Sequence, residues 1–154
     1  MTSLCVTLQI PSLLPAVGVA TAALRAMSER LSASEDDSAA LEICLTEALN
    51  NVIEHAYLGQ PGHPITVELS GHDDAVQVTV IDAGLSMPQG RVERAHLPWV
   101  DPSRVQHLPE GGFGLGLIQS LAREVHYQRS EGANTLSFTR ALTAGPPPLG
   151  ALVK

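Results

Sequence analysis

The chain has 154 residues, with nine basic against sixteen acidic side chains and a formal net charge of −7 when histidine is neutral. Its only lysine is Lys154, which excludes a Walker-type phosphate loop, the strand lysine of a eukaryotic-type protein kinase and a Schiff-base enzyme. The acidic balance and an aromatic content of 3% leave neither the clustered cations nor the stacking surfaces that nucleic-acid binding uses.

Residues 3–10 (SLCVTLQI) alternate and predict a strand, broken by the segment from Pro11 to Pro15. From about 16 to 31, Val17, Ala20, Leu24, Met27 and Leu31 fall on one helical stripe. Ser34 is the expected N-cap of a second helix, with Glu35, Asp36 and Asp37 placed to favour its dipole. The apolar face of that helix is Leu41, Cys44, Leu45, Ala48, Val52 and Ile53. It is expected to end near Tyr57, because Gly59, Pro61, Gly62 and Pro64 follow. Strands at 65–70 and 75–81 flank Gly71-His72-Asp73-Asp74 and predict an antiparallel hairpin. Residues 84–112 have no clean period and many glycines and prolines, as functional or mobile loops do. Residues 113–125 (FGLGLIQSLAREV) predict a helix entered through glycines. Two more strands, at about 126–130 and 135–142, are expected to turn at Glu131-Gly132-Ala133-Asn134. The expected domain is 1–142, with a disordered tail over 143–154.

The order β α α β β loop α β β predicts an α/β (α+β) two-layer sandwich. Its sheet is expected to be mixed but mainly antiparallel, with helices on one face. Cys5 and Cys44 are too few for a disulfide framework. No apolar run reaches about 18 residues and the N-terminus lacks the basic start of a signal peptide, so a cytoplasmic protein with no membrane span is expected.

Three segments carry the chemistry. On the second helix Glu47, Asn51 and His55 recur every four residues and share a face. A carboxylate and an amide so placed are able to hold a hydrated cation and a water between them. Two successive asparagines are poor helix formers, so tertiary context is expected to hold them there. The second segment, Val80-Ile81-Asp82-Ala83-Gly84, ends an apolar strand in a carboxylate, followed by a glycine that lets backbone approach a flat ligand. The third, GGFGLGL, brings Gly112, Gly114 and Gly116 to a helix start, where free N–H groups bind phosphate without a lysine. Each is common alone, and the glycines do not follow a first βαβ strand as a dinucleotide fold requires.

In this order the three segments resemble the motifs of the GHKL ATPases, the superfamily of gyrase-type, Hsp90-type, sensor-histidine-kinase and mismatch-repair ATP-binding domains. The sequence is most similar to the anti-sigma-factor serine kinases of bacterial partner-switching systems. TEALNNVIEHAY looks like their N-box, VIDAGLSMP like the first glycine box and GGFGLGLIQSLA like the second. The likeness spans about residues 3–142. With about 15 residues before the first helix and the chain ending after the last strand, the stand-alone branch is expected over sensor kinases and multidomain machines.

The resemblance implies a histidine-kinase-like ATPase (Bergerat) fold that binds ATP and Mg²⁺. It implies that Glu47 is the general base or orients the attacking group, and that Asn51 ligates Mg²⁺. It gives Asp82 the exocyclic amine of adenine, lets Gly84 pack near the ring and gives Gly112, Gly114 and Gly116 the phosphates. Residues 85–111 would form a lid, in which Arg104 is the nearest cation to the glycines and Glu110 opposes phosphate. Ser86 stands where many relatives have a glycine, and His55 and Glu54 are given no role. The implied function is that of an anti-sigma factor and ATP-dependent protein-serine kinase in transcription regulation. Its expected partners are a small anti-anti-sigma-type antagonist as substrate and a sigma factor or other regulator as target. A homodimer is expected. The alternative is a module that binds ATP and sequesters a partner without transferring phosphate.

Overall fold

Strict apolar alternation builds the sheet. In β1 (Ser3–Pro11), β2 (Pro64–His72) and β3 (Ala75–Asp82) the even positions of β1, the odd positions of β2 and the even positions of β3 point one way. β4 (Arg123–Ser130) and β5 (Ala133–Ala141) complete five strands in the order β1-β2-β3-β5-β4. The computed structural model describes residues 3–88 and 113–143. Among these, all four pairings are antiparallel, so the expected mainly antiparallel sheet contains no parallel pair.

Ile65, Val67, Leu69, Val76, Val78, Val80, Leu136 and Phe138 form the buried face of the sheet. The opposite face presents Thr66, Glu68, Gln77, Thr79 and Ser137, none of them buried. α1 (Leu14–Arg30), α2 (Glu35–Asn51) and α3 (Phe113–Leu121) are the helices. The predicted stripe of α1 is buried at Val17, Ala20, Leu24 and Met27, and that of α2 from Leu41 to Ile53. This aliphatic layer closes over the sheet with α2 central, packed against both α1 and α3. Cys44 lies inside it, where burial pushes its thiol up to about 11; Cys5 is exposed, and both are free.

Ser34 is the N-cap as expected, its Oγ accepting the Asp37 N–H at 3.2 Å. Asp37 itself is buried and serves as a hub. It accepts the Thr143 N–H at 2.7 Å, the Thr143 hydroxyl at 2.6 Å, the Ser34 hydroxyl at 2.8 Å and Arg140 Nε at 2.8 Å. The start of α2 is thereby tied to the end of β5.

Boundaries differ from the sequence expectation in three places. Beyond Asn51 the α-helix becomes a π-helical turn, Val52–Ala56, in which the Tyr57 N–H returns to the Val52 carbonyl. The third helix ends at Leu121 rather than 125, because Arg140 Nη1 caps the Leu121 carbonyl at 2.5 Å. Glu124 then takes a left-handed φ of 52° and β4 bulges between Arg123 and His126. The last hairpin turns on two residues, Glu131 (φ 51°) and Gly132 (φ 79°), both in the left-handed region that such turns need. Asn134, expected in the turn, is therefore the second residue of β5. The tail 144–154 and most of the long loop, 89–112, lie outside the described residues.

Candidate functional site

The hairpin register lays three polar residues side by side across the sheet end. Asp82 of β3 pairs with Asn134 of β5, and Asn134 pairs with Arg129 of β4. The Asn134 amide donates to Asp82 Oδ1 at 2.8 Å, to the Leu85 carbonyl at 2.9 Å and to the Gly84 carbonyl at 3.3 Å. Its oxygen accepts Arg129 Nη1 at 2.7 Å and the Tyr127 hydroxyl at 2.8 Å. The Gly84 N–H closes a local turn on Asp82 Oδ1 at 2.9 Å. Asp82 is only 7% exposed, and among the described residues its Oδ2 has no partner.

Beside this row α2 and its π-helical turn form the other wall. Ala48, Asn51, His55 and Ala56 face Asp82, Leu115 and Leu136 across a cavity of about 290 Å³, whose rim continues along Leu85–Pro88. Its walls are mostly apolar, with few polar groups, as small-molecule sites tend to be. The segment after Asp82 is held on the sheet by Tyr127, whose hydroxyl accepts the Met87 N–H at 2.8 Å. The end of the π-helical turn is held by Tyr57. Its hydroxyl donates to the Pro64 carbonyl at 2.8 Å and accepts the Ala83 N–H at 2.9 Å, while its ring stacks on His63 at 4.7 Å.

The site residues expected from sequence do not all meet. Asn51 and Asp82 line the same cavity. Gly84 lies behind the cavity wall, where a Cβ would stand 2.5 Å from the Ala56 carbonyl oxygen, so the close approach it permits is to the π-helical turn. Glu47, one turn before Asn51, faces a separate groove between α1 and α2, with Arg25, Glu42 and Ile43. Burial, and then the charge of Glu54, raise its carboxyl above the ordinary value of 4.5. Gly114 and Gly116 belong to the first turn of α3, at whose start N–H groups, that of Gly114 among them, have no intrahelical acceptor. Gly112, Arg104 and Glu110 lie outside the described residues.

The family model of the histidine kinase-like ATPase domain matches residues 10–140. The chain belongs to that family. As a histidine kinase-like ATPase domain it is similar to serine-protein kinase RsbW of Bacillus cereus, with 28% identity over 131 residues, 85% of this chain and 81% of the relative. It is also similar to serine-protein kinase RsbW of Bacillus velezensis, with 28% identity over 149 residues, 97% of this chain and 92% of the relative. Its fold matches a crystal structure of the RsbU and RsbW domains of Rv1364c from Mycobacterium tuberculosis at a TM-score of 0.61 and 22% identity. That match covers 92% of this chain and 33% of the other. It matches the SiaB–SiaC complex from Pseudomonas aeruginosa at a TM-score of 0.61 and 15% identity, over 89% of each chain. The likeness to the anti-sigma-factor serine kinases drawn from the three motifs stands.

The histidine kinase-like ATPase domain implies ATP, and the residues present fit it. An apolar cavity ending in a carboxylate oxygen that has no partner among the described residues suits a flat base with an exocyclic amine. Among the described residues no three His, Cys, Asp or Glu side chains gather as a metal cage. Asn51 would instead share a Mg²⁺ with phosphate oxygens, the way this cation is usually held at nucleotide sites. Asn134, Tyr127, Tyr57 and Leu136 are site residues that sequence reasoning did not find. The available signal was Asn134 itself, a poor strand former at the start of an otherwise good strand.

Proposed function

We propose that this histidine kinase-like ATPase domain is an ATP- and Mg²⁺-dependent protein-serine kinase that also acts as an anti-sigma factor or equivalent regulator. It phosphorylates a serine of a small anti-anti-sigma-type antagonist and, once the phosphorylated antagonist leaves, holds its regulatory target. Similarity to serine-protein kinases over 85–97% of the chain supports the reading. The observation that carries it is the Asp82 carboxylate, with one oxygen committed to protein and the other without a partner among the described residues, in a cavity that Asn51 also lines.

Each residue has a role in this reading. Asp82 accepts the base amine and Leu115 and Leu136 cover the ring. Asn51 would hold Mg²⁺, whose charge would offset that of the phosphates. The N–H groups of Gly114 and Gly116, with those of Gly112, donate to phosphate. Glu47 accepts the proton of the incoming serine hydroxyl. A carboxyl raised toward neutrality is a better base for that step than an ordinary glutamate. Glu47 faces a groove apart from the base cavity, so this role requires the phosphate end of the nucleotide to reach the α1–α2 side. The working unit is a cytoplasmic homodimer, which analytical ultracentrifugation of the full chain tests.

A phosphotransfer assay with a small anti-anti-sigma-type protein as substrate, with Mg-ATP, tests the activity. Serine phosphorylation that disappears in Asn51→Ala supports the kinase. Nucleotide binding without transfer supports a sequestering module. Absence of binding at millimolar nucleotide overturns the site.

A further inference from the structure

Asn134 is buried, 3% exposed, and its amide is fully committed. The nitrogen faces three acceptors and the oxygen faces two donors. The amide has one permitted orientation, since a flip would set its oxygen against Asp82 and two carbonyls and its nitrogen against Arg129. Nothing is left on Asn134 for a ligand. Its effect on a ligand is exerted through Asp82.

A terminal carboxylate torsion is broad and roughly two-fold. With only the Gly84 N–H to hold it, the Asp82 carboxylate would turn more freely than with the Asn134 amide in place. Asn134 Nδ2 and the Gly84 N–H both converge on Oδ1, which leaves Oδ2 as the oxygen uncommitted among the described residues. We propose that Asn134 is the positioning residue that sets base choice in this pocket: by holding Asp82 Oδ1 it presents Oδ2 as a fixed lone acceptor, so a base bearing an exocyclic amine is taken and one bearing a carbonyl there is refused. The inference rests on the nucleotide reading of the cavity. Refusal is strong in such a site because a carbonyl opposite a buried acceptor leaves both oxygens unpaired.

Tyr127 supplies an internal control. It donates to Asn134 Oδ1 and accepts from the Met87 N–H, and no hydrogen bond links it to Asp82. Removing its hydroxyl loosens the cavity wall and leaves the Asp82 carboxylate held by Asn134. Arg129 still donates to the amide oxygen at 2.7 Å, so the orientation survives. Wall and base choice are separable through these two residues.

The test is equilibrium binding of Mg-ATP and of Mg-inosine triphosphate, in which a carbonyl replaces the amine, to the full chain. Wild type, Asn134→Asp, Asn134→Ala and Tyr127→Phe are compared, each checked for fold by circular dichroism. The aspartate keeps the volume and the contacts to Tyr127 and Arg129 but sets a second carboxylate on Asp82; the alanine carries the test if the aspartate variant fails to fold. Wild type prefers ATP by about tenfold or more, the worth of one hydrogen bond to a charged group. Both Asn134 variants bring that preference to within about twofold, whereas Tyr127→Phe weakens both nucleotides and leaves their ratio intact. A wild type without preference, folded Asn134 variants that keep it, or a Tyr127→Phe that loses it overturns the inference while the nucleotide site stands. A wild type that binds neither nucleotide overturns the reading of the cavity itself, and the inference with it.

Discussion

A Cβ on Gly84 would stand 2.5 Å from the carbonyl oxygen of Ala56, and that oxygen also accepts the Leu85 N–H at 2.9 Å. The cavity wall after β3 is thus bonded to the π-helical turn with no room between them. Gly84→Ala sets a methyl group against backbone, which cannot move aside as a flexible side chain would. The expected cost is about 1–3 kcal/mol of stability, as for overpacking elsewhere. Nucleotide affinity falls with it, because Leu85–Pro88 line the cavity. Chemical denaturation and ATP binding on the same sample check this. An unchanged midpoint would show that the wall yields and that the contact does not position it.

As the proposed base, Glu47 would couple function to stability with opposite signs. Burial, then Glu54, disfavour its ionised form, so its folded value lies above the ordinary 4.5. The resulting cost to folding is absent below about pH 4.5, where the group is protonated in both states, and complete above the raised folded value. Glu47→Gln is therefore expected to melt higher than wild type at pH 7 and with it at pH 4, while phosphotransfer falls roughly 10²–10⁴-fold. Glu54→Gln is expected to move the acidic limb of the pH–rate profile downward. A limb that stays in place would remove Glu54 from the account of Glu47.

Tyr57 joins the π-helical turn to β2 and to the residue following Asp82 through one hydroxyl. Tyr57→Phe keeps the ring and its stacking on His63 but leaves the Pro64 carbonyl and the Ala83 N–H without that partner. A loss of about 1–3 kcal/mol is expected in urea denaturation. Hydrogen exchange at Ala83 should speed up more than exchange in β1. Uniform acceleration across the sheet would indicate a global effect instead.

The helical stripes and strand alternation were legible because burial follows the 3.6 and 2 residue periods directly. The pairing of Asn51 with Asp82 was legible as motif order, although nothing local brings residues 51 and 82 to one cavity. Asn134 was hidden because its role depends on hairpin register. A turn on residues 131–134 makes it a turn residue, while a turn on 131–132 makes it the partner of Asp82. Gly84 suggested a ligand's approach, and the actual neighbour, Ala56, is placed by a π-helical turn that no local propensity encodes. The end of α3 depends on Arg140, 19 residues away in sequence.

Asp37 and Arg140 hold the far end of α2 as Asn51 and Asp82 frame the cavity at the other. Burial would raise the Asp37 carboxyl, but donation from Thr143, Ser34 and Arg140 prevails and lowers it from 3.8 to about 2. A depressed carboxyl stabilises the fold above its unfolded value and loses that contribution as pH falls toward its folded value. The window is therefore about pH 4 to pH 2, and the contribution at stake is about 2 kcal/mol. Asp37→Asn removes the charge from a buried ion pair at 2.8 Å and is expected to cost about 3 kcal/mol at neutral pH. Its stability should then fall less steeply than that of wild type between pH 4 and pH 2, so the two urea-denaturation curves converge on acidification. Curves that stay parallel through that window would mean that Asp37 titrates alike in the folded and unfolded chains, and that the clamp holds by packing alone.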